Sequence, residues 1–282
     1  MKRFLSLLVL VLFAFTTVSA KSEKVIRILA IGNSFSEDAV EQYLYELGKD
    51  AGYELIIGNA YRGGQGLESH WKDITTYANT FEYRKVVKGV KTNIRKQSLR
   101  SIIEDEPWDY ITLQQVSQDS GRPETFEPFL THMINYVKLY AKNKNMKLGY
   151  HMTWAYSKSS SHGGFANYGR DQMTMYNAIC NTVKEKVRKH KEFSFIVPSG
   201  TAIQNARTSR LGDTLNRDGF HLDYNVGRYT AACTWFEAVL HKNVVHNGYK
   251  PNTVLPENAK IARKAAHYAR RSPFKIHVIK DK

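Results

Sequence analysis

The sequence has little cysteine: Cys180 and Cys233 are the only two in 282 residues. That excludes a disulfide scaffold and a Cys-rich zinc fold. Each lies in an apolar helical stretch, where a buried free thiol is the ordinary expectation and one disulfide in an oxidising compartment the alternative. The sequence is also short of acid, with 26 Asp and Glu against 41 Lys and Arg and a net charge of +15. It lacks internal repeats and low-complexity linkers, which excludes a fibrous or disordered chain. It has no apolar run of spanning length. The longest, Phe4 to Phe15, is broken at Ser6 and falls well short of the ~20 residues a spanning helix needs.

What that run does have is the layout of an export signal. Lys2 and Arg3 precede it, and Thr16, Thr17, Val18, Ser19 and Ala20 follow, small residues where a peptidase reads. The expectation is a signal peptide over 1–20, cleaved after Ala20, with one domain over 21–282 in a periplasmic or extracellular protein. Position 21 is Lys21, not cysteine, so a lipid anchor is not expected. Export also weakens the nucleic-acid reading that so basic a chain invites. An anionic glycan or a solvated basic surface fits better. The most basic stretch, 84–100, holds seven Lys or Arg and no acid. It reads as a helix with Val87, Val90 and Ile94 on one face beneath the charges.

Short β-rich apolar runs recur at Val25–Ile31, Tyr53–Gly58, Asp109–Leu113, Met146–Trp154 and Phe193–Val197. Helical periodicity marks Glu37–Asp50, Glu127–Lys142, Asp171–Lys189, Tyr224–Leu240 and Glu257–Ala269. Strands alternating with helices predict a three-layer α/β/α sandwich on a mostly parallel, five-stranded sheet. In such folds ligands bind at the carboxyl ends of the strands, so the residues just after each strand carry the chemistry.

After the first strand comes Gly32-Asn33-Ser34-Phe35-Ser36. A serine at a strand-to-helix turn is placed to be a nucleophile. The bland alternative is that Ser34 or Ser36 only caps the helix. Arg217-Asp218-Gly219-Phe220-His221-Leu222 sets an acid three residues before a histidine, a spacing that lets both face one pocket. Between them, Arg62-Gly63-Gly64-Gln65-Gly66 offers a backbone N–H at Gly64, and Gln114-Gln115-Val116-Ser117-Gln118 offers side-chain amides. Either is a candidate oxyanion donor. Trp154 and Tyr156, at the end of the fourth strand, and Arg207, after the fifth, are candidate substrate contacts. Ser157–Gly164 reads as a polar loop near the site. His162 lacks two further placed ligands, and the glycine run lacks a full dinucleotide fingerprint, so neither metal nor cofactor is expected.

The order of these blocks resembles the SGNH (GDSL-type) serine hydrolases. Gly32-Asn33-Ser34 looks like their first block, commonly Gly-Asp-Ser. Asn59-Ala60 and Gly64 look like the second, and Asp218-Gly219-Phe220-His221 like the last. The resemblance runs from Val25 to about Leu240. It implies a flavodoxin-like fold with Ser34 as nucleophile, His221 as base and Asp218 as its partner. The oxyanion hole would take the N–H groups of Ser34 and Gly64. The family's third arm, an asparagine in Gly-x-Asn-Asp, is missing; Gln118 stands at that position, with Gln115 its rival. The resemblance implies a secreted esterase that removes an acyl group, most plausibly acetyl, from a carbohydrate. A non-catalytic glycan-binding protein on the same scaffold and a lipid or thioester hydrolase are the alternatives.

Overall fold

The computed structural model describes residues 24–280. The expected signal peptide lies outside them. Among the described residues seven strands form one sheet in the order β4-β3-β2-β1-β5-β6-β7. Its parallel body is β1 (Lys24–Gly32), β2 (Tyr53–Tyr61), β5 (Tyr110–Leu113), β6 (Lys147–His151) and β7 (Phe193–Val197). These are the five strands expected from the apolar runs. Ile28, Leu29, Ala30 and Ile31 of β1 are all buried, as a parallel strand covered on both faces requires. The order β2-β1-β5 makes β1 the switch point, and its carboxyl end opens the crevice where such folds bind ligands.

The helices cover both faces. They are α1 (Ser34–Val40), α2 (Leu44–Asp50), α3 (Leu67–Thr75), α4 (Leu99–Ile103), α5 (Phe129–Tyr140), α6 (Gln172–Thr182), α7 (Ser199–Arg207), α8 (Val226–Leu240) and α9 (Pro256–Arg271). The single helix expected over Glu37–Asp50 is two, because Tyr43 adopts φ +67 and breaks the ladder between them. No helix among the described residues is long and apolar enough to cross a membrane. Cys180 and Cys233 are free and buried.

The basic stretch is not a helix. Phe81–Val87 (β3) and Val90–Gln97 (β4) form an antiparallel hairpin against β2. The turn between them is Lys88-Gly89, both at positive φ (+50 and +74), which suits a two-residue hairpin loop. Val87, Val90 and Ile94 are exposed at 36%, 66% and 53%, so they do not form a buried face. Alternating β-branched and polar residues at period two, VKTNIR, carry the strand signal that the helical reading overlooked.

Two fully buried imidazoles couple this fold to pH. Burial pushes His70 and His151 each down to about 3, with Arg62 adding to the effect at His70. Both would bind a proton near pH 6.5 once unfolded. A histidine whose folded pKa is depressed leaves the unfolded state holding more protons, so stability falls as pH drops from about 6.5 toward 3. Two such groups contribute up to about 2.7 kcal/mol per pH unit. Urea unfolding across pH 4 to 6 should show that dependence, and His70→Gln should reduce it by about one proton; an unchanged slope would refute the assignment.

Candidate active site

The chain leaves β1 through Gly32 and turns into α1 at Asn33, whose extended backbone (φ −144) and side chain cap the helix: the Phe35 N–H donates to Asn33 Oδ1 at 3.0 Å. The cap is therefore Asn33, not a serine. Ser36 is buried, its one hydroxyl proton shared between two acceptors, the Asn33 carbonyl (2.7 Å) and Asn59 Oδ1 (2.8 Å). Ser34, the first residue of α1, is left partly open to solvent.

The loop 216–222 meets it. Ser34 Oγ lies 2.8 Å from His221 Nε2, and His221 Nδ1 lies 2.6 Å from Asp218 Oδ2. Asp218 Oδ1 accepts the N–H groups of Phe220 (3.1 Å) and His221 (2.7 Å). Burial pushes the Asp218 carboxyl up. The hydrogen bonds from the His221 ring and from the two amides outweigh it and hold the carboxyl below its usual range. An ionised Asp218 accepts a hydrogen bond from Nδ1–H, which leaves Nε2 as an acceptor facing the serine hydroxyl. Such a line of groups can draw the proton from Oγ as the oxygen attacks an electrophile.

Sequence reasoning missed what holds the two segments together. Asp38, fully buried on α1, accepts the Leu222 N–H at 2.8 Å and Arg217 Nη1 at 3.0 Å, and pairs with Arg228 Nη2 at 2.6 Å. Arg217 also donates to the Leu222 carbonyl. Asp38 is four residues after Ser34, one helical turn on, so the same face of α1 carries the serine and the anchor of the histidine loop. That i, i+4 acid was the available signal.

Three of the expected substrate contacts are instead supports behind this loop. Trp154 has no exposed surface; it stacks on Phe35 at 4.3 Å and donates Nε1–H to the Phe220 carbonyl at 2.8 Å. Tyr156 is equally buried, its hydroxyl 2.8 Å from Ser117 Oγ and its ring against Phe220 and His162. The Arg207 side chain is 4% exposed. It pairs with Asp213 at 2.9 Å, and it donates to the Ala155 carbonyl and to Asn216 Oδ1. Asn216 in turn donates to the carbonyls of Phe220 and His221. None of the three offers a free face to a substrate.

The rival glutamines separate too. Gln115 is buried and spent on structure. Its Oε1 accepts the Leu67 and Val116 N–H groups, and its Nε2 donates to Thr125. It cannot also serve an oxyanion. Gln118 lies in the short turn Ser117–Asp119 after β5, with its carbonyl held by Asn167 and Tyr168. Its side-chain amide has no hydrogen bond to another described residue. Gly64 is exposed at φ +68, a conformation that favours glycine. Neither the Ser34 nor the Gly64 N–H donates to another described residue, so both are free for a ligand. His162, on the polar loop after β6, sits against Phe220 at 4.7 Å and feels the charges of His221 and Asp218.

Among the described residues no group of three or more His, Cys, Asp or Glu is gathered to hold a metal. A cavity of about 450 Å³ lined by Trp71, Tyr77, Arg100, Tyr136 and Tyr140 includes none of Ser34, Asp218 and His221.

Fold and site together define an α/β protein with a serine, a histidine and an aspartate joined in series at the carboxyl edge of its parallel sheet. The chain belongs to the family described as a domain of unknown function, DUF4886, whose model matches residues 27–269. It is similar to the crystal structure of a DUF4886 family protein from Bacteroides uniformis, with 48% identity over 90% of this chain and 98% of that one and a TM-score of 0.88. More distant solved structures are a family 3 carbohydrate esterase from Clostridium thermocellum and an acetyl xylan esterase. The first has 13% identity over 77% of this chain and 96% of that one, at a TM-score of 0.45. The second has 15% identity over 75% and 98%, also at 0.45. No curated protein matches the chain with significance.

The two glutamines should behave oppositely on truncation. Gln115→Ala leaves buried amides unpaired and should cost roughly 1–3 kcal/mol, several degrees in Tm. Gln118→Ala should leave Tm within about a degree. Equal thermal shifts in calorimetry would contradict the assignment.

Proposed function

We propose that the chain is a serine hydrolase that cleaves a carboxylic ester by acyl transfer. The observation that carries this reading is the unbroken contact from Ser34 Oγ to His221 Nε2 (2.8 Å) and from His221 Nδ1 to Asp218 Oδ2 (2.6 Å). Ser34 Oγ attacks the ester carbonyl and His221 takes its proton, while Asp218 holds the tautomer and steadies the imidazolium. The Ser34 and Gly64 N–H groups hold the oxyanion, with Gln118 Nε2 as the third donor. His221 then protonates the leaving alkoxide. Water, deprotonated by His221, then adds to the acyl carbon, and as the bond to Ser34 Oγ breaks His221 returns the proton to Oγ and the acid departs.

An acetyl ester on a carbohydrate is the substrate class we favour. Its support is narrower than the sequence suggested, because Trp154, Tyr156 and Arg207 are buried. What remains is mostly polar: Gln65, Gln118 and His162, with the half-buried ring of Phe220 against His162 and His221, beside an open loop at Gly63 and Gly64. We further propose that the chain is exported through its first twenty residues and meets this substrate in the periplasm or outside the cell. Its excess of Lys and Arg suits an anionic glycan.

Purified protein should hydrolyse 4-nitrophenyl acetate and release acetate from an acetylated polysaccharide. Ser34→Ala should abolish both, and Asp218→Asn should lower kcat by about 10⁴ through the wrong imidazole tautomer. Equal turnover by Ser34→Ala and the unaltered protein would overturn the proposal.

A further inference from the structure

Beneath Ser34 runs a line of buried polar side chains that the reaction does not use. Ser199 Oγ lies 3.0 Å from His151 Nε2, and His151 Nδ1 lies 2.9 Å from Gln114 Oε1. Gln114 Nε2 donates to Asn33 Oδ1 at 2.9 Å, and Asn33 Nδ2 donates to the Gln65 carbonyl at 2.8 Å. Asn33, Gln114, His151 and Ser199 are each at most 2% exposed. These residues follow or end β7, β6, β5, β1 and β2 in turn, which is the spatial order of the parallel strands. The line thus crosses the whole carboxyl edge of the parallel sheet, one residue per strand. Gly32 makes room for it: a Cβ there would fall 2.7 Å from Gln114 Cδ.

The direction of every donor follows from two backbone groups. The Phe35 N–H can only donate, so the Asn33 atom it meets is oxygen. The Gln65 carbonyl can only accept, so the other Asn33 atom is the amide nitrogen. Gln114 must then give its NH₂ to Asn33 Oδ1 and turn its oxygen to His151. His151 must carry its proton on Nδ1, and Ser199 must donate to Nε2. No amide can be reversed without leaving a buried group unpaired, which costs about 1–3 kcal/mol. The last acceptor, Gln65, is the residue after Gly64. The same loop is tied at its start by the Arg62 N–H on the Gly32 carbonyl (3.0 Å) and at its end by the Leu67 N–H on Gln115.

We infer that Asn33, Gln114, His151 and Ser199 are positioning residues that fix the loop bearing Gly64, and so set where an oxyanion is held. This rests on the hydrolase reading for its consequence in turnover, but not for its consequence in the loop. The line needs an asparagine at position 33, because that residue must both accept and donate. An aspartate would cap α1 equally well and accept from Gln114, yet its carboxylate cannot donate to Gln65.

Asn33→Asp is therefore the test, with Ser199→Ala as a milder break at the far end of the line. Hydrogen exchange read by mass spectrometry should quicken over residues 62–67 in Asn33→Asp, relative to the unaltered protein at the same pH. The strands β5 and β6 should keep their protection. With 4-nitrophenyl acetate, kcat should fall by about 10²-fold in Asn33→Asp at near-constant KM, the scale of a misplaced oxyanion donor. Ser199→Ala should lose less than 10-fold. The carboxyl group introduced by Asn33→Asp, once protonated, has the shape of the asparagine amide and can donate to Gln65. The ratio of variant to unaltered kcat should thus rise as pH falls, which a general loss of stability would not produce. If the unaltered protein neither hydrolyses the ester nor reacts at Ser34 with a fluorophosphonate, the hydrolase reading fails, and the exchange at 62–67 still decides this inference. Unchanged exchange at 62–67 in Asn33→Asp overturns the inference, as does unchanged kcat in a protein that does react.

Discussion

The buried carboxylate of Asp38 is the contact on which the site depends. It stands on the first helix, yet its partners Arg217, Leu222 and Arg228 come from nearly two hundred residues later in the chain. An unpaired carboxylate here would be costly, so the loop 216–222 and the start of α8 must close over it. Ser34 shares its helix and His221 its loop. Satisfying Asp38 therefore brings the hydroxyl and the imidazole to 2.8 Å without either having to draw the other in. Trp154 and Arg207 press on the same loop from behind, Trp154 on the Phe220 carbonyl and Arg207 on Asn216, which ties the loop internally to the carbonyls of Phe220 and His221.

The remaining half of the site is organised by the sheet. Five parallel strands end side by side, and each contributes a polar residue to one line of hydrogen bonds at that edge. Parallel strands leave their last carbonyls and the following loops in register, so one buried line can reach all of them. The site thus has two supports of different character. A charged cluster sets the serine–histidine distance, and a neutral, directed line sets the glycine loop.

Much of this was legible in the sequence, and the gaps have physical causes. Buried parallel strands are short apolar runs, and all five were readable. The hairpin β3–β4 was not, because its alternating charges and valines fit a helical face as well as a strand until the Lys88-Gly89 turn is weighed. Ser34 was readable from its place at a strand-to-helix turn, and Asp218 and His221 from their local three-residue spacing. Trp154, Tyr156 and Arg207 were misplaced because sequence position gives the end of a strand but not the face: all three point into the layer behind the histidine loop. Gln115 and Gln118 were inseparable by type, and only burial and partners tell them apart. Asp38 and the line through Gln114 and His151 depend on contacts between distant segments, which periodicity does not record.

The account stands or falls on whether Ser34 Oγ is a nucleophile. Its most direct measurement is mass spectrometry of protein mixed with 4-nitrophenyl acetate and quenched in acid within the first turnover. The account predicts a mass gain of one acetyl group on the peptide that contains Ser34, absent from Ser34→Ala and lost on longer incubation as water clears the ester. Turnover of the ester with no acetyl at Ser34 at any time, or with acetyl on another residue, would contradict it.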